Sequence, residues 1–216
     1  MIFGLDILTV CASLVFLLAL LMNLVRKNTT LISLYVIQSV AIAAALAVLG
    51  GTDGETGLVY AALLTLAVKG VIAPTFLYRL ISKYSGHFSA ASYLSMPPTL
   101  VGLACMTAFS FLLAPHLPFA GVSAVPLLFA GIFSALFLMI NRRGALSAVV
   151  GVLALENAAV LLSSTLGAVH TFALEFTIAF DIAVWVAIAT AFLHMMHRQF
   201  GIVDTDTRLI SRLTEE

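Results

Sequence analysis

Charge is what this sequence has least of. Its 216 residues include 10 Lys+Arg and 10 Asp+Glu, 9% of the chain, where a soluble domain devotes about 25% to charge. So few charges cannot cover the surface of a water-soluble protein of this size. Net charge is zero, so the basic stripe that a nucleic-acid binder needs is missing. Cysteine is nearly absent too. Cys11 and Cys105 fall in different apolar runs with no C-x-x-C pair, which leaves no ligand set for an iron–sulfur cluster, a nickel–iron centre or structural zinc. Redox chemistry associated with the chain therefore belongs to another polypeptide, and no cofactor is expected in this one.

What the sequence has in abundance is apolar length. Hydrophobic residues make up 62%, and mean hydropathy is +1.15. A spanning helix takes about 20 mostly apolar residues, and seven such runs are present, at about 3–25, 30–50, 58–81, 97–114, 121–140, 144–166 and 172–196. The breaks carry turn-forming or ladder-breaking residues: Arg26-Lys27-Asn28, Gly50 to Glu55, Lys83 to Pro98, Ala114 to Pro118, Asn141 to Gly144 and Gly167 to Thr171. The expectation is an all-α integral membrane protein, a seven-transmembrane-helix bundle. A multi-pass place in a prokaryotic inner membrane follows, with the lipid bilayer as its first partner. The first run lacks a basic leader and carries Asp6, which argues against a cleaved signal.

Nine of the ten basic residues obey one rule. Arg26, Lys27, Arg79, Lys83, Arg142, Arg143, Arg198, Arg208 and Arg212 all fall on the side where odd-numbered spans end, and no Lys or Arg falls in the opposite loops. By the positive-inside rule this puts the N-terminus outside and the C-terminus in the cytoplasm.

The tenth, Lys69, sits near the middle of the third span. Glu156 is about midway along the sixth and Asp181 midway along the seventh, with Glu175 nearer the outer end. A charge at that depth costs about 2.5 kcal/mol or more on insertion scales, and persists when it faces inward, pairs, or serves ion movement. Residues four apart share a helix face. Thr65 thus stacks with Lys69 and Thr177 with Asp181, Ser163 lies two turns beyond Glu156, and Tyr35, Gln38 and Ser39 form a polar patch on the second span. Pro74 withholds an N–H and crowds the carbonyl of Gly70, beside Lys69, so a kink is expected there. One reading makes Lys69, Glu156, Asp181 and Glu175 a buried proton pathway. Another makes Lys69 with Glu156 or Asp181 a static brace, and Glu175 an interfacial anchor. His194 and His197, beside Arg198, read as interfacial polar residues rather than metal ligands. The row Ser39, Ala43, Ala47, Gly51 has the small-residue spacing that lets helices approach closely.

Several blocks, in order, resemble the component E family of hydrogenase-4, a membrane subunit of group 4 nickel–iron hydrogenases of the formate hydrogenlyase type. They are Val68-Lys69-Gly70-Val71-Ile72-Ala73-Pro74, Asn141-Arg142-Arg143, Gly151-Val152-Leu153-Ala154-Leu155-Glu156-Asn157, Glu175-Phe176-Thr177-Ile178-Ala179-Phe180-Asp181 and Gly201-Ile202-Val203-Asp204. Val68 stands where that family has threonine. The family's last three helices are similar in turn to the K-type subunit of respiratory complex I, whose buried acids carry protons through the membrane arm. The resemblance implies a four-helix half over 1–120, a K-like three-helix half over 121–199 and a cytoplasmic tail over 200–216. It implies a non-catalytic subunit, with Glu156 and Asp181 on a proton axis that Lys69 extends. Implied partners are antiporter-like and quinone-chamber-like membrane subunits and a cytoplasmic hydrogenase arm, with no nucleic acid. The loop 83–96 and the tail 197–216 are the expected contact surfaces. The competing readings are a purely architectural subunit and a stand-alone ion transporter. A retinal photoreceptor is excluded because the seventh span has no lysine for a Schiff base.

Overall fold

A computed structural model of the chain describes residues 2–54, 56–83, 92–117 and 122–165, with Val186, Thr190 and His194. Among these, regular structure is helical, with an isolated β-bridge between Ser92 and Arg142. The helices are α1 (Ile2–Leu24), α2 (Asn28–Asp53), α3 (Thr56–Thr65), α4 (Ala73–Lys83), α5 (Met96–Leu113), α6 (Ala124–Asn141) and α7 (Ala145–Thr165). A π-helical stretch, Leu66–Ile72, joins α3 to α4 into a single span. Six helices are therefore long and apolar enough to cross a membrane, matching the first six expected spans. The seventh, over 172–196, lies outside the described residues except at Val186, Thr190 and His194, which are helical.

Each turn has a local cause. Lys27 is extended ahead of α2. Gly54 ends α2 at φ 71°, a left-handed conformation that glycine adopts without strain. Ser95 is extended ahead of α5, with proline in its first turn where no N–H is required.

The bundle is held by two apolar clusters stacked along its length. One joins Met22, Leu31, Ile32 and Tyr35 to Ala73, Leu77, Leu138, Leu146 and Val150, with Val186 packed among them. The other joins Ala12, Val15, Ile42 and Leu46 to Leu58, Leu128, Ala158 and Leu161. Both clusters draw on α1, α2, α6 and α7, so the first and second halves of the sequence interlock. Small residues permit this closeness: a Cβ on Gly151 would meet Met139 Cγ at 2.4 Å and the Ala135 carbonyl at 3.3 Å. The row Ser39, Ala43, Ala47, Gly51 does not act as one stripe. Ser39 and Ala43 are buried, while Ala47 and Gly51 are exposed, because residues four apart drift by about 40° per step around an α-helix.

Among the described residues, the basic side chains other than Lys69 gather at one end. Arg142 is only 5% exposed, and its guanidinium donates to the carbonyls of Met22 (3.1 Å), Asn23 (3.3 Å) and Val25. These are the otherwise unmet acceptors at the end of α1, where the helix dipole also favours a cation. Burial, and then Arg26 nearby, pulls the Arg142 pKa below its ordinary value; the carbonyls offset that penalty. Asn141 ties the same turn to the start of α5, accepting from Leu94 N–H at 3.0 Å and donating to Thr99 Oγ1 at 3.2 Å. Arg143 stacks over the Tyr93 ring at 4.7 Å. Tyr78 on α4 meets Ser33 Oγ at 2.8 Å and donates to Thr29 O at 3.3 Å, bringing the end of α4 beside the start of α2.

Two substitutions test this packing. Gly151→Val should destabilise the bundle by about 1–3 kcal/mol through overpacking. Gly51→Ala should be neutral, because a Cβ there meets nothing within 4 Å. Thermal unfolding in detergent compares them, and equal melting temperatures would refute the tight α6–α7 contact. Arg142→Lys, which keeps the charge and loses the fork, should lower the melting temperature as well.

Candidate functional site

Between the two apolar clusters lies a layer of polar side chains from three of the six spans, anchored to a backbone carbonyl of a fourth. The span α3–π–α4 contributes Thr65 and Lys69, both buried. The inward row of this span is Ala61, Thr65, Lys69, Ala73 and Leu77, every fourth residue. In an α-helix such a row would wander off the face. A π-helix, whose bonds reach one residue further, turns less per residue and winds the row back. Ala73 N–H bonds to Val68 O, five residues earlier, and Pro74 follows with no N–H to give. The distortion expected at Pro74 thus takes the form of a widened helix centred on Lys69.

Lys69 Nζ meets Glu156 Oε1 at 2.8 Å, with the lysine 2% and the glutamate 18% exposed. Apolar surroundings strengthen the attraction and penalise either charge left alone. Asn157, the next residue on α7, donates through Nδ2 to Ser39 Oγ at 3.0 Å and lies 3.4 Å from Gln38 Oε1. Gln38 in turn donates to Val15 O on α1 at 3.3 Å. Gln38, Ser39 and Asn157 are fully buried. Tyr35, one turn from Ser39, is buried beside it and within electrostatic reach of Glu156. The α1, α2 and α7 helices are therefore stitched together by side chains at the depth of the ion pair.

The structure brings together Lys69, Glu156, Thr65 and Gln38, and sets Pro74 at the exit of the π stretch. Ser163 stays about 10 Å further along α7, half-buried, and makes no hydrogen bond to the layer. Asp181, Glu175 and Thr177 lie outside the described residues. Asn157 was not singled out as a site residue by sequence reasoning, although it stands in the Leu155-Glu156-Asn157 block. The signal was available: a second polar residue beside a buried acid, on a helix otherwise apolar for three turns. Among the described residues no group of three His, Cys, Asp or Glu could hold a metal ion. Comparison with family models, curated proteins and solved structures finds no match to this chain.

The ion pair makes a specific thermodynamic prediction. Lys69→Met alone strands a buried carboxylate and should cost about 3–5 kcal/mol. Adding Glu156→Gln to that variant should recover most of the loss. Additive losses in a double-mutant cycle, measured by thermal unfolding in detergent, would show that the two side chains do not interact.

Proposed function

We propose that the chain is a non-catalytic membrane-arm subunit of a complex I-like nickel–iron hydrogenase. In this reading its buried charges form part of a proton pathway coupled to redox chemistry in other subunits. The observation that carries it is the Lys69–Glu156 pair at 2.8 Å, enclosed in a polar layer at the middle of the bundle. A buried pair of titratable groups can hold or pass on a proton, and intramembrane charges of this kind mark ion pathways. The ordered resemblance to hydrogenase-4 component E supports the choice of machine, since both members of the pair stand in blocks of that resemblance. Asp181 and Glu175 would continue the pathway on the seventh span. The charge asymmetry of the loops supports an N-out, C-in orientation in a prokaryotic inner membrane. Antiporter-like and quinone-chamber-like subunits and a cytoplasmic hydrogenase arm are the proposed partners, and hydrogen chemistry would reside in that arm.

The same geometry suits an architectural brace, and the two readings separate experimentally. Glu156→Gln and Asp181→Asn should each lower proton uptake into inverted vesicles at least severalfold. Hydrogenase turnover with an artificial dye acceptor should stay at its original rate. If both variants keep full proton uptake, the relay is refuted. Loss of the assembled complex on native gels, with uptake lost in proportion, would establish the brace instead.

A further inference from the structure

Lys69 stands midway between Thr56 and Lys83, so roughly 20 Å of protein separates the ion pair from either face. Distance favours neither side, and the polar lining must decide which face supplies protons. Toward the end of the bundle that holds Asp53, the layer is closed by Val15, Ile42, Leu46, Leu58 and Leu161. No orphaned buried polar atom lies on that side among the described residues. Its one pairing between helix α1 and the segment before α6, Thr9 Oγ1 with Ser123 Oγ at 3.0 Å, is satisfied.

The basic end is different. Its apolar cluster is interrupted by buried polar atoms without a hydrogen-bond partner: Asn23 Oδ1, Ser147 Oγ and Tyr35 Oη. Ser39 sits beside Tyr35, yet the phenol has no hydrogen bond of proper geometry to it. Asn157 Oδ1, in the layer itself, is a fourth. Counted from the basic ends of their helices, the four lie at depths of roughly 2, 3, 10 and 18 Å. Each belongs to a helix that contributes to the same cluster: α1, α7, α2 and α7. Buried polar atoms in native proteins are bonded almost without exception, to protein or to ordered water, and a buried water makes two to four such bonds. We infer that internal water enters the bundle from its basic end along Asn23, Ser147, Tyr35 and Asn157. Proton exchange with the Lys69–Glu156 pair then runs through that face, and the opposite face is closed to it. The hydration stands on the orphaned atoms alone, while its role in proton movement rests on the relay reading above.

Radiolytic footprinting of the full chain in native membrane vesicles tests this without any ligand. X-rays generate hydroxyl radicals from water in place, and mass spectrometry locates the oxidised side chains. Leucines of equal burial supply the comparison: Leu31 and Leu146 at the basic end, Leu46 and Leu161 at the other. Leu31 and Leu146 should oxidise at least threefold faster, with Tyr35 and Met22 modified as well. Equal rates in the two pairs, or an unmodified Tyr35, would overturn the inlet. The readout does not depend on turnover. An unmodified Tyr35 therefore removes the inlet and leaves the relay standing. Full proton uptake in both Glu156→Gln and Asp181→Asn removes the relay and leaves the inlet.

Discussion

A lysine cannot stay charged in an apolar bundle without a partner, and that constraint organises this molecule. The partner is Glu156, three spans away from Lys69 in the sequence order of the bundle. Meeting it fixes α7 against the π stretch, with α2 alongside. Apolar side chains contribute little specificity here, since lipid tails are as apolar as the leucines they would replace. The polar layer and the close contact at Gly151 therefore select this arrangement over other packings of equally greasy helices. The clusters on either side fill space; the layer between them sets register.

The π stretch follows from the same constraint. Two rows in this chain share a spacing of four and behave differently. On α2, Ser39 and Ala43 face inward, and Ala47 and Gly51 have drifted to the outside. On the third span Ala61, Thr65, Lys69, Ala73 and Leu77 all stay buried. The difference is the seven residues of π-helix that cancel the drift. Without them Thr65 and Leu77 could not both face the core while Lys69 reaches Glu156. Pro74 favours the altered winding because it lacks the N–H that the regular ladder needs.

Helix number up to the sixth span, the inward placement of Lys69, Glu156, Gln38 and Thr65, and a disturbance near Pro74 were all readable from hydropathy, charge depth and spacing. The choice of Glu156 as the partner of Lys69 was not, because Asp181 sits at a similar depth and neighbour relations between helices leave no periodic trace. The packing role of Arg142 leaves no trace in the charge count. Charge counting treats it as one of nine residues held at a membrane face, yet its guanidinium is buried on three carbonyls at the end of α1. That packing role depends on where α1 ends, which a charge count does not reveal. Asn157 was overlooked because a neutral amide carries no alarm in a charge census.

The pair's chemistry follows from its setting. A proton delivered to Glu156 leaves Lys69 as an isolated buried cation, and a proton removed from Lys69 leaves an isolated carboxylate. Both states are penalised in a medium of low dielectric. Moving one proton across the 2.8 Å between Nζ and Oε1 converts an ion pair into two neutral groups with no change in net charge. The apolar clusters on either side and the polar side chains of the layer set the balance between the two forms. The balance depends on what surrounds the pair. On the proposed relay reading, a charge that approaches along the polar layer would tip it, whereas a brace would only hold the two helices together.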